Sequence, residues 1–143
     1  MVVKALDWRG AQVVKEVEAA AVDALQEFGL RLETAAKSEL YKGHGVLTGT
    51  LRRSIHTGSP DYNWGADDEA PSESTSSRGG QEPDVKRGGG RLAIETGSGL
   101  EYAMAVHQGH GSFGGYHFMT NAFDRIKDQF VKILVRKVKG RLK

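Results

Sequence analysis

From Ala11 to Tyr41 the chain reads AQVVKEVEAAAVDALQEFGLRLETAAKSELY, and the spacing of its apolar residues sets the fold class. Val14, Val17, Ala21, Ala24, Leu25, Phe28, Leu32 and Ala35 recur at helical intervals and fall on one face. Lys15, Glu16, Glu18, Asp23, Glu27, Arg31, Glu33 and Lys37 occupy most of the other. Ala, Leu, Glu and Lys are strong helix formers and no proline interrupts them; Gly29 is a mild flaw. At about 1.5 Å per residue the helix is roughly 45 Å long, more than a small domain covers. It is either an ordinary long core helix or one whose apolar face packs partly on another subunit, and its length favours the second.

Outward from this helix, Lys42 to Gly45 ends it, and Val46 to Ile55 follows. Thr48 or Thr50 is placed to cap a short helical turn, with Leu51 and Ile55 one turn apart. A strand is expected near Ser54 to Gly58. From Ser59 to Gly90 the pattern dissolves: all three prolines lie here, among Ser, Asp, Glu and Gly, with too little apolar content to offset chain entropy. This predicts a long loop or arm. Its aromatics, Tyr62 and Trp64, either anchor the arm on a partner or pack within it. Arg91 to Gly97 alternates like a half-buried strand. Leu100 to Gln108 reads as a short helix with Leu100, Ala103, Met104 and His107 on one face. After a glycine-dense stretch, a last helix runs from about His117 to near Lys139, striped by Met119, Phe123, Ile126, Phe130, Ile133 or Leu134, and Val138. The expected fold is α+β: two long helices packed on a small antiparallel or mixed sheet, with a long inserted arm.

Composition narrows the function classes. A chain of 143 residues fits one domain. With no cysteine, disulfides, thiolate catalysis and Cys-ligated zinc are excluded. No apolar run approaches the roughly 20 residues of a membrane span, and Met1 to Gly10 lacks a signal-peptide pattern, so a cytosolic origin is expected. The net charge of +2 conceals segregation. Lys132, Arg136, Lys137, Lys139, Arg141 and Lys143 crowd the last 13 residues without an acid. Asp61, Asp67, Asp68, Glu69, Glu73, Glu82 and Asp84 dominate the arm. The basic helix suits either phosphate contact or an acidic neighbour, and helix-dipole preference alone also explains it.

Motifs for chemistry are weak. Gly109 to Gly114 satisfies G-x-G-x-x-G, but a helix rather than a strand is expected before it and no βαβ unit surrounds it. His107, His110 and His117 lack both helical ligand spacing and an accompanying carboxylate. No nucleophile elbow or carboxylate pair stands out. No catalytic residue, metal site or cofactor is expected.

The order of motifs adds more. A long amphipathic helix precedes Leu47-Thr48-Gly49-Thr50-Leu51-Arg52-Arg53-Ser54-Ile55. A strand follows, then Tyr102-Ala103 with Val106-His107-Gln108-Gly109, then a glycine-rich loop leading into an amphipathic helix. This resembles the phage tail-completion or neck family typified by gene product ten of lambdoid phages. The resemblance covers most of the chain outside Ser59 to Gly90. It departs where Tyr116-His117-Phe118-Met119 stands in place of the family's Pro-Phe, and in a longer arm.

The resemblance implies a single neck domain over residues 1–143 that performs no chemistry. It implies a homo-oligomeric ring around the DNA channel of the virion, between the head connector and the tail tube or terminator. Thr48, Gly49, Leu51, Arg52, Ser54, Tyr102, Ala103, His107 and Gly109 are then architectural. Opposite charge suggests that Tyr62, Trp64, Asp67, Asp68 and Glu69 meet Lys132, Arg136, Lys137 and Lys139 of a neighbour. DNA passes without sequence-specific contact. The alternative is a small non-specific nucleic-acid-binding protein using the basic helix.

Overall fold

A computed structural model describes residues 10–42, 45–46, 49–58, 64, 85–88 and 91–142. Its architecture is α+β. Helix α1 spans Gly10–Glu39, about 45 Å, and every other large element packs along it. The remaining elements are β1 (Tyr41–Lys42), β2 (Gly45–Val46), α2 (Thr50–Ser54), β3 (His56–Gly58), β4 (Lys86–Gly88), β5 (Arg91–Ala93) and β6 (Glu95–Gly97). Three helices complete the chain: α3 (Ala103–Gln108), α4 (Phe118–Ile126) and α5 (Gln129–Arg141).

The core is built from α1, α2, α4 and α5. Ala24, Phe28, Ala35, Ala36 and Leu40 meet Leu51, Ile55, Leu100, Phe118, Ala122, Ile126 and Ile133. Small residues on α1 let the returning helices approach closely, and Phe28 fills the space between them. Its ring takes Phe123 and Phe130 edge-on, with centroids 6.2 and 5.5 Å away. The expected last helix is two segments. Lys127 and Asp128 keep right-handed helical dihedrals, but Phe130 N–H bonds to the Lys127 carbonyl three residues back, so the helix is broken by one tight turn.

Among the described residues the expected sheet is three two-stranded pairs: β1–β2 parallel, β3–β6 and β4–β5 antiparallel. The alternation over Arg91 to Gly97 correctly marks extended chain, yet the stretch changes partner at Ile94. β5 pairs with β4 (Lys86↔Ala93) and β6 with β3 (Thr57↔Thr96). Side-chain alternation reports which face is buried, not which strand lies alongside. The end of the expected arm is thus strand β4, and Trp64 is described; the rest of the arm, including Tyr62, Asp67, Asp68 and Glu69, lies outside the described residues.

The strands meet the long helix at Gly29. Its carbonyl oxygen accepts hydrogen bonds from the hydroxyls of Thr57 (2.8 Å) and Thr96 (3.2 Å), which are themselves 2.9 Å apart. A Cβ on Gly29 would stand 2.7 Å from the Thr57 methyl carbon. The flaw in the helix is therefore where β3 passes over it.

Candidate assembly surfaces

Of the described motif residues, Gly49, Leu51, Ser54, Ala103 and Gly109 fall into the interior and its turns. Gly49, at φ 83°, precedes α2 in the left-handed region and its carbonyl accepts Arg53 N–H at 3.0 Å. Gly49 therefore stands at the position expected for a capping threonine; Thr48 lies outside the described residues. Leu51 and Ser54 are buried, and the Ser54 hydroxyl bonds to the Leu51 carbonyl and to Ser98, each at 2.6 Å. Arg52 is exposed and makes no ion pair among the described residues.

Ala103 is buried, Tyr102 is exposed, and so is Met104, against expectation. Leu100 lies in the turn before α3, where its carbonyl accepts Ala103 N–H, so the helical register that grouped Met104 with it does not hold.

His107 sits at the mouth of a closed loop. Tyr116 N–H bonds to the Val106 carbonyl and His117 N–H to the His107 carbonyl, at 3.0 and 2.9 Å. Gly109 (φ 90°) and Gly115 (φ 82°) let the two backbone strands touch; a Cβ on either would strike the opposite backbone. The G-x-G-x-x-G stretch follows helix α3 and serves this closure. The His107 ring lies 5.6 Å from that of His117 and 5.2 Å from that of Phe118, while His110 turns to Phe113. Among the described residues no group of three or more His, Asp or Glu is arranged to hold a metal ion, and no helix is long and apolar enough to cross a membrane.

Trp64 packs on its own chain. Its indole stacks on His56 with ring centroids 4.7 Å apart and donates Nε1–H to Glu95 at 3.0 Å. Its platform is thus neither the arm itself, the packing expected as one alternative, nor another subunit, but the β3–β6 pair of its own chain.

The basic last helix divides by face. On its inner flank Arg136 donates to both carboxylate oxygens of Glu27, 2.6 Å from Oε1, with Lys137 3.7 Å and Arg31 3.2 Å from the same group. Burial pushes the Glu27 carboxyl up, but the Arg136 hydrogen bond and charge, with Arg31 and Lys137, outweigh it and hold it below the ordinary value. Arg141 reaches Asp23 at 2.7 Å and Glu16 at 3.5 Å. Among the described residues, the acids that meet the basic helix are those of α1, which runs antiparallel to it. Glu16, Asp23 and Glu27 repeat at helical spacing on one flank, a signal present in the sequence but overshadowed by the denser acids of the arm.

On its outer face α5 carries Val131 (62 % exposed), Val135 (45 %) and, just past its end, Leu142 (47 %). Lys132 and Lys139 flank them, and an open groove runs past Val131, Lys132, Val135, Arg136, Lys139 and Gly140. Lys132 and Lys139 make no ion pair among the described residues. A second uncovered surface is the start of α1. Burial begins at Ala20, leaving Val13, Val14 (65 % exposed) and Val17 open on the continuation of the core-facing stripe. No protein-family model, curated protein or solved structure matches the chain.

Proposed function

We propose that this chain is a non-catalytic structural subunit of the head-to-tail joint of a long-tailed phage, assembling as a ring around the DNA channel between the head connector and the tail. The observation that carries the reading is the pair of uncovered apolar helix faces, one at the start of α1 and one on the outside of α5. They are different surfaces on one small subunit, as a head-to-tail ring requires. The ordered motifs from Leu47 to Ile55 and from Tyr102 to Gly109 supply the phage setting by resemblance, and their described members serve turns and packing. The spending of Arg136, Lys137 and Arg141 on α1 favours this reading over duplex binding by the basic helix.

The test is made on particles. Mass spectrometry of purified virions should find the chain at a few copies per particle, and disruption of its gene should yield filled heads beside unattached tails. Normal tailed particles from the disrupted phage would remove the proposal.

A further inference from the structure

We infer that the outer face of α5 receives the first turns of α1 from a second copy of this chain. The inference rests on the ring reading above and names its contact.

Both surfaces carry the same seam. On α5 the apolar positions are Val131, Val135, Val138 and Leu142, at intervals of four, three and four. On α1 they are Gly10, Val14, Val17 and Ala21, at the same intervals. That spacing brings side chains into register along two packed helices. Small residues at the ends of the α1 seam allow close approach to the bulkier valines of α5.

Charge selects the pairing. Lys132 follows Val131 and Lys139 follows Val138 by one position; Glu18 follows Val17 by the same step. Two α5 faces brought together would oppose lysine to lysine, with no acid anywhere between Gln129 and Leu142 to relieve it. An α1 seam brings Glu18 to the lysines instead. Neither lysine takes part in the ion pairs that α5 makes with its own α1. Because the two seams differ, each subunit uses one to hold the next and offers the other, a head-to-tail contact. Four side chains a side bury less than the roughly 800 Å² per partner of a standard interface, so association depends on concentration.

The test uses the full chain in sedimentation velocity and native mass spectrometry. Wild type should associate progressively towards about 100 µM, in the weak range this contact area allows. Val14→Asp and Val135→Asp each remove one seam at an exposed position, and each alone should be monomeric with an unchanged circular dichroism spectrum. Mixed in equal amounts they should form a 1:1 heterodimer and nothing larger, because only one intact seam of each kind remains. Lys132→Glu/Lys139→Glu, a surface change only, should also lose association and regain part of it with Glu18→Lys.

Wild type that stays monomeric, or a mixture that stays monomeric while wild type associates, overturns the contact. So does association that survives Val14→Asp but not deletion of residues 66–84, which would make the acidic segment the occupant. A chain found at the joint of particles but monomeric in solution sinks this contact and spares the proposed function; association without presence in particles does the reverse.

Discussion

Thr57 donates its hydroxyl to the carbonyl oxygen of Gly29, 2.8 Å away and 28 residues earlier in the chain. This bond fixes the short β3–β6 pair against the middle of α1, at a position where a side chain would hold the two apart.

Gly29→Ala should therefore destabilise the protein by about 1–3 kcal/mol, the usual cost of overpacking, although alanine gains about 1 kcal/mol in helix propensity. Rotating Thr57 away from the new methyl would break its bond to the carbonyl. Thr57→Ser removes the clashing methyl and keeps the hydroxyl, so the double variant should recover most of the loss. Chemical denaturation of the four proteins of the cycle measures it, and a stabilised single variant would contradict the account.

Glu27 gathers Arg136, Arg31 and Lys137. Glu27→Gln should cost about 0.5–1 kcal/mol at low salt, within the range of exposed pairs, and less in 1 M NaCl. Its carboxyl titrates below the ordinary 4.5 in the folded chain. The stabilisation is therefore complete above that pH and is lost as pH falls through the lowered value. Urea midpoints of wild type and variant should converge on acidification below 4.5 and stay apart at neutral pH.

His107 loses stability in the same direction, on acidification, but for a different cause. Burial first, and the charge of His117 second, lower it from the ordinary 6.5. Its Nδ1 lies 3.4 Å from the Met119 amide at the start of α4, where only the neutral ring accepts, and its Nε2 lies 3.3 Å from the Thr120 hydroxyl. A proton would remove that acceptor and put positive charge at the positive end of a helix. The unfolded chain thus binds the proton more readily. The contribution to stability is complete above pH 6.5 and declines as pH falls below it towards the folded value. Melting temperatures recorded from pH 7.5 down to 5.5 should drop, and His107→Asn should flatten the profile.

Duplex binding by the isolated chain should be weak. With Arg136, Lys137 and Arg141 engaged on α1, the outward pair Lys132 and Lys139 contributes a slope of about −2 in log K against log salt, at about −0.9 per phosphate. A fluorescence titration giving a slope near −5 would mean that the whole basic set leaves α1 for DNA.

How much of this was legible beforehand depends on the range over which a signal acts. The stripe from Val14 to Ala35 announces α1 because helical periodicity is local, and Leu51 with Ile55 marks α2 for the same reason. Val14 and Val17 look the same in sequence as Ala24 and Phe28, yet they are exposed, because burial depends on how far the returning α5 reaches. The partner change at Ile94 is invisible for a related reason: β5 pairs locally with β4, whereas the β3 partner of β6 lies about 40 residues back. Gly29 reads as a weak helix former until Thr57 is placed over it. Among the candidate interface residues, sequence charge drew attention to the arm, whereas the partners of Arg136 and Arg141 are a sparser row of acids on α1. Trp64 was recognisable as an anchor; that its platform is His56 of the same chain was not.

The closed loop between His107 and His117 also offers a practical handle. Its neck is fixed by touching backbone at Gly109 and Gly115, while Gly111 at the tip has open space around it. Strain from an added segment would stop at that neck instead of reaching α3 or α4. A short epitope tag inserted after Gly111, or a dye on a Ser112→Cys variant in this cysteine-free chain, would report the subunit's position without disturbing either helix seam.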